Sequence, residues 1–263
     1  MDLLLWIIGF SLIGGLLSVA IASTFLLLSE HARNVAVPHL VSFAVGALLG
    51  ASFLGLIPHA MSYDIDPHNI GLTLLLGLLT FFVLEKLVLW RHCHDDHCDA
   101  HLPDTSTSHN HNHKGHATGT LILVGDTIHN FVDGILIAAA FLTDIHLGIV
   151  TALAIAAHEI PQELGDFVIL LHSGFKRSKA LYYNVLSSLG TVVGALLAYF
   201  ILDDMQFLLP YILIVAASSF IYIAVADLIP GLHHKVAPKE TLQQIILIAA
   251  GTLFIYITHS TLH

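Results

Sequence analysis

Apolar stretches of membrane-spanning length recur along this chain, at roughly 3–28, 37–58, 70–91, 119–141, 147–171, 180–202, 208–230 and 241–259. Each is near or above the ~20 residues that cross about 30 Å of hydrocarbon as a helix. Charged residues make up only 11% of the chain, whereas a soluble domain carries about 25% and needs them to face water. The expected fold class is therefore an all-α integral membrane protein with eight transmembrane helices, residues 1–263 forming a single transmembrane domain. The first stretch lacks a basic flank and is too long for a cleaved leader, so it is expected to be retained.

Orientation follows from nine basic residues. Arg33, Lys86, Arg91, Lys114, Lys176, Arg177, Lys179, Lys235 and Lys239 all lie in or beside the odd-numbered connections. The opposite side has none, and carries Asp2, Asp64, Asp66, Asp144, Asp203 and Asp204. The positive-inside rule places the odd connections in the cytoplasm and both termini outside. The compact chain is expected in a bacterial inner membrane, with the lipid bilayer around it and no nucleic-acid partner.

The longest connection, 92–118, reads HCHDDHCDAHLPDTSTSHNHNHKGHAT. It lacks periodicity and is rich in polar residues, which predicts a flexible cytoplasmic loop. Its histidines, with Cys93 and Cys98, suit zinc and other borderline or soft metals. The spacing is not that of a zinc finger, so the expected role is a loose metal buffer.

Two polar islands interrupt the apolar pattern at one depth. In GDTIHNFVDGILIAAAF, His129 and Asp133 are four apart and share a helix face, Asn130 is three from Asp133, and Asp126 lies a turn earlier. In HEIPQELGD, His158 and Gln162 share a face, Glu159 and Glu163 share the adjoining one, and Asp166 extends the stripe. His129 and His158 are each about ten residues into their stretches, ~15 Å deep and near the midplane of a bilayer. A short connection makes the two helices antiparallel neighbours. Imidazoles, carboxylates and amide oxygens can then converge on a divalent transition metal, whose charge offsets the burial of the acids. Pro161 should loosen its helix by removing one N–H and crowding the carbonyl of Ala157. A membrane-embedded zinc hydrolase is the alternative, but HEIPQ lacks the second histidine of HExxH.

These motifs resemble those of the ZIP (Zrt-, Irt-like protein) family of divalent metal transporters, in the subgroup with HNxxDG and HEIPxELGD. GLIPHA, NVLSSLGTVVGALL and FIYIAVADLIP match in character, and the resemblance covers essentially the whole chain. It implies uptake of zinc into the cytoplasm, with Cd2+, Fe2+ and Mn2+ as further cargoes, through a binuclear metal centre. It implies His129, Asn130, Asp133, His158 and Glu159 as ligands, with Gln162 and Glu163 in the same motif. Two departures bear on the second metal position. Gln162 stands where the subgroup has His, and residues 180–202 contain no Glu, only Asn184, Ser187 and Ser188 as polar candidates.

Architecture follows partly from the same resemblance. Helices 1–3 and 6–8 would form an inverted repeat around the helix 4–5 pair, and Leu-Ile-Pro occurs at Leu56–Pro58 and again at Leu228–Pro230. Gly14–Gly15 and Gly46/Gly50 would let helices approach closely. The family implies a homodimer in which helices 1, 4, 5 and 6 move against helices 2, 3, 7 and 8.

Overall fold

A computed structural model describes residues 3–92, 112–233 and 237–262. The described residues form α1 (Leu3–Phe25), α2 (Glu30–Met61), α3 (Pro67–His92), α4 (Asn112–Thr143), α5 (Ile145–His172), α6 (Arg177–Leu202), α7 (Gln206–Leu232) and α8 (Pro238–Leu262). Most of the His-rich segment, 93–111, lies outside the described residues. Its last part does not: α4 already begins at Asn112, seven residues before the apolar stretch starts. Hydropathy marks where lipid contact begins, and backbone hydrogen bonding carries a helix past that point.

Seven of these helices are long and apolar enough to cross a membrane. The exception is α5, which has the length, 28 residues, but carries the polar stripe His158–Asp166. The same side chains that mark it as a site lower its apolar character.

Helix entry is set by side-chain caps. The Ser29 hydroxyl accepts from the Ala32 N–H at 3.3 Å at the start of α2. Asp144 accepts from the N–H groups of His146 at 2.8 Å and Leu147 at 3.0 Å. That cap occupies the single residue between α4 and α5, which forces an antiparallel reversal and brings the two polar islands together.

Three helices widen into π turns, at Ile13–Leu17 in α1, Ala51–Leu56 in α2 and Ile223–Leu228 in α7. The latter two run into the two Leu-Ile-Pro sequences. A proline ring crowds the carbonyl four residues earlier, which is Leu54 for Pro58 and Ala226 for Pro230, each inside the widened turn. The expected loosening at Pro161 does not follow this course, because α5 stays α-helical through it. Buried side chains on both sides, from Leu147 to Leu170, hold α5 in register there.

The two most extensive seams are α4 against α6 and α2 against α8. Both are built on reciprocal glycines. A Cβ on Gly134 would overlap the Thr191 carbonyl, and one on Gly194 the Phe131 carbonyl. On the other seam, Gly46 lies against the Ile248 backbone and Gly251 against that of Phe43. The Thr252 hydroxyl donates across that seam to the Gly46 carbonyl at 3.1 Å. Lipid supplies no hydrophobic drive between helices, so close backbone approach and its dispersion contacts take over that role. α3 packs along α7, and its outward face of Leu72, Leu75, Leu76, Leu79 and Phe82 is exposed. The common core of Leu48, Leu136, Ile137, Phe141, Ile155, Leu213 and Phe220 is fully buried between the seams.

Candidate metal centre

α4 and α5 cross with their polar faces together. The 3.6-residue period stacks His129 above Asp133 on α4, and places His158 beside Glu159 on α5. One nitrogen or oxygen from each of these four residues lies within 4.8 Å of the other three. His129 Nε2 is 3.3 Å from His158 Nε2 and 3.3 Å from Glu159 Oε1. His158 Nε2 is 3.4 Å from Asp133 Oδ2 and 3.7 Å from Glu159 Oε1. His129 Nε2 to Asp133 Oδ2 is 3.8 Å.

These spacings match the edges of a coordination shell. Tetrahedral zinc with bonds of about 2.0–2.1 Å has ligand–ligand edges of about 3.3–3.4 Å. Five of the six edges lie between 3.3 and 3.8 Å, and the side chains would draw together to close on one ion.

Burial and charge agree with that reading. Asp133, His158 and Glu159 are about 1% exposed as side chains, and His129 is 25% exposed, so the centre opens past His129. Neither oxygen of Asp133 nor of Glu159 has a hydrogen-bond partner. Buried carboxylates without donors are costly. With neutral imidazoles the set carries two negative charges, which one dication balances. The His158 Nδ1–H donates to the Ala154 carbonyl at 3.2 Å, which leaves the Nε2 lone pair facing the cluster. The Phe220 ring, centred 6.2 Å from that of His158, closes one wall against water.

The other expected ligands are two amides, Asn130 and Gln162, and the acid Glu163. Asn130 is fully buried but already engaged. Its amide donates to the Asp126 carbonyl at 3.2 Å and to Asp126 Oδ1 at 3.0 Å, and its oxygen accepts from the Thr191 hydroxyl at 2.8 Å. Gln162 is half-buried, four residues after His158 on the same helix face. Glu163 is fully buried one turn beyond Glu159, and Asp166 is half-buried. Thr191 was missed by sequence reasoning. Its signal was a period: Asn184, Ser187, Ser188 and Thr191 recur at helical spacing, and all four are buried on the α6 face that meets α4 and α5.

A family model described as ZIP Zinc transporter matches residues 2–259. The chain belongs to the ZIP zinc transporter family. Among curated ZIP relatives, Zinc transporter ZIP13 of Pongo abelii is 34% identical over 230 residues, covering 81% of this chain and 63% of that protein. Zinc transporter ZIP13 of Mus musculus is 33% identical, covering 86% of this chain and 71% of the relative. Zinc transporter YKE4 of Saccharomyces cerevisiae is 30% identical, covering 83% and 67%. The chain thus spans about two thirds of the length of these relatives. Among the described residues the secondary structure is entirely helical, and the four convergent donors lie in the HNFVDG and HEIPQELGD motifs.

Proposed function

We propose that this ZIP family chain transports zinc across a membrane into the cytoplasm, binding it on the way at His129, Asp133, His158 and Glu159. One observation carries the reading: four donors from two antiparallel helices stand at coordination-shell spacing, with carboxylate oxygens that lack any partner. Cargo in this place neutralises the acids, and the ligand mix of imidazole and carboxylate suits zinc while admitting Cd2+, Fe2+ and Mn2+. The names of the relatives, all zinc transporters, support the same cargo.

In this reading α5 crosses the bilayer with the other seven helices, because its polar stripe faces α4 and α6 and not lipid. The protein is multi-pass, with both termini outside and the His-rich segment 92–118 in the cytoplasm as a metal buffer. Helices α1, α4, α5 and α6 would act as one group and α2, α3, α7 and α8 as another, with α5 packing on both α4 and α2. Movement of the first group against the second would expose the centre to each side in turn. Helices α1–α3 and α6–α8 would form the inverted repeat, supported by the π turn that precedes Leu-Ile-Pro in both α2 and α7. A homodimer completes the proposal.

Purified protein in liposomes that enclose a fluorescent zinc chelator tests it. Zinc should enter in a protein-dependent manner, with Cd2+, Fe2+ and Mn2+ compared in the same vesicles. A flat signal for every metal would reject the transport reading.

A further inference from the structure

The α2–α8 seam changes character along its length. The two helices run parallel: Gly46 lies against Ile248, and Gly50 against Thr252 and Ile255. Nearer the starts of both helices the facing residues become polar, with His39 and Ser42 on α2 and Glu240, Gln243 and Gln244 on α8. Ser42 is one turn before Gly46 and Gln244 one turn before Ile248, about 6 Å along each helix. There the helices part around a cavity of about 130 Å³, which these five residues line together with Val35 and Pro38. A water takes up ~30 Å³ of liquid, so the space holds an ion with its waters. In the proposed orientation the cavity lies at the cytoplasmic end of the seam, where α2 and α8 begin.

The lining offers lone pairs in place of protons. A backbone carbonyl can only accept, so His39 Nδ1, which meets the Val35 carbonyl, carries the ring proton and Nε2 keeps its lone pair. The buried Ser42 hydroxyl donates to the Pro38 carbonyl at 2.7 Å, which leaves its oxygen lone pairs. The Gln244 amide nitrogen donates to the Leu232 carbonyl at 3.2 Å, which leaves the amide oxygen to serve the cavity. Glu240 is the one acid in the lining, and like His39, Gln243 and Gln244 it is half-buried. An imidazole nitrogen, a carboxylate and neutral oxygens around one space make an acceptor set with a net negative charge, which calls for a cation. Imidazole beside carboxylate suits a transition dication such as zinc, whereas Mg2+ and Ca2+ take oxygen alone.

We infer that His39, Ser42, Glu240 and Gln244 form a divalent transition-metal site between α2 and α8. It shares no residue and no helix with the His129–Glu159 centre, and it does not depend on the transport reading. An ion held there joins α2 to α8 beyond their glycine contacts. Because Gln244 also holds the last residue of α7, the ion fastens three helix ends together. The site would fill from the cytoplasmic side, where transported zinc is released.

Cobalt spectroscopy on the full-length purified protein tests this. The chain has two cysteines, Cys93 and Cys98, so Ser42→Cys in a Cys93→Ser/Cys98→Ser background leaves a single thiol, placed in the cavity. Added Co2+ should give a thiolate-to-cobalt charge-transfer band, which zinc should displace. His39→Ala or Glu240→Gln in that background should weaken the Co2+ binding by about tenfold or more, since even the loss of a group that only orients a ligand costs 10–100-fold. Absence of the band, or a band that neither substitution weakens, overturns the site. Zinc titration of the protein with native Ser42 is the second measurement, the His-rich segment being the same in every variant. His39→Ala/Glu240→Gln should lose one tightly bound zinc per chain, and adding His158→Ala should lose another. Zinc stoichiometry equal to wild type in the double variant overturns the site, whatever His158→Ala does.

Discussion

The Nε2 atoms of His129 and His158 lie 3.3 Å apart across the α4–α5 seam. Two imidazole nitrogens at that distance need a proton or a cation between them. With Asp133 and Glu159 bare of donors beside them, a dication satisfies all four groups at once, which a proton does not.

Removal of one member should therefore abolish function without abolishing the fold. His158→Ala, Glu159→Ala or His129→Ala should cut zinc affinity by about a hundredfold or more, beyond the usual cost of altering groups that only orient ligands. Membrane insertion should persist, since a polar group is being taken from lipid depth. Asp133→Ala should follow closely. Uptake assays with expression measured in parallel check this, and wild-type transport by His158→Ala would sink the proposed centre.

Gln162 should rank below those four. It is half-buried and offers only a neutral amide oxygen, a weaker donor than imidazole or carboxylate, so Gln162→Ala should lower uptake less than any of them. Gln162→His adds a softer donor on the same helix face and should favour zinc over Mn2+. Competition of Mn2+ with zinc uptake in the two variants measures the shift. An effect of Gln162→Ala as large as that of Glu159→Ala would place Gln162 among the direct ligands.

Protons should compete with the metal. Zinc requires neutral imidazoles and ionised carboxylates, so binding releases any protons these groups hold. Affinity should fall as pH drops from about 7.5 to about 5.5, because each proton taken up by a ligand atom removes it from the metal. Isothermal titration in two buffers of different ionisation enthalpy would detect the released protons. Equal zinc affinity at both pH values argues against competition.

The glycine seams should be intolerant of side chains. Gly134→Ala or Gly194→Ala drives a methyl into the backbone of the facing helix and should cost about 1–3 kcal/mol, as overpacking does. Gly125→Ala on the same α4 meets open space and should be neutral or slightly stabilising. Thermal unfolding of the detergent-solubilised variants separates them.

Thiol chemistry checks the orientation. Cys93 and Cys98 should react with membrane-impermeant reagents only from the cytoplasmic face, because all nine basic residues border that side. Labelling in intact cells would reverse the assignment.

What was legible in the sequence depends on local rules. Length and hydropathy alone determined the membrane class, since ~20 apolar residues have few other uses. The 3.6-residue period paired His129 with Asp133, whereas the α6 stripe ending in Thr191 emerged only in the fold. Counting residues from the helix ends put His129 and His158 at one depth. None of this specifies how far each helix is rotated about its own axis toward its neighbours. Rotation is fixed by contacts distant in sequence: Gly134 on Thr191, Gly194 on Phe131, and the one-residue Asp144 turn. Those contacts decided that Asn130 faces Asp126 and Thr191, although a motif places it next to His129. They decided likewise that Glu159 closes on both histidines while Glu163, four residues on, meets Asn184. Motif spacing supplies the donors; the backbone approach allowed by two glycine seams selects which of them meet.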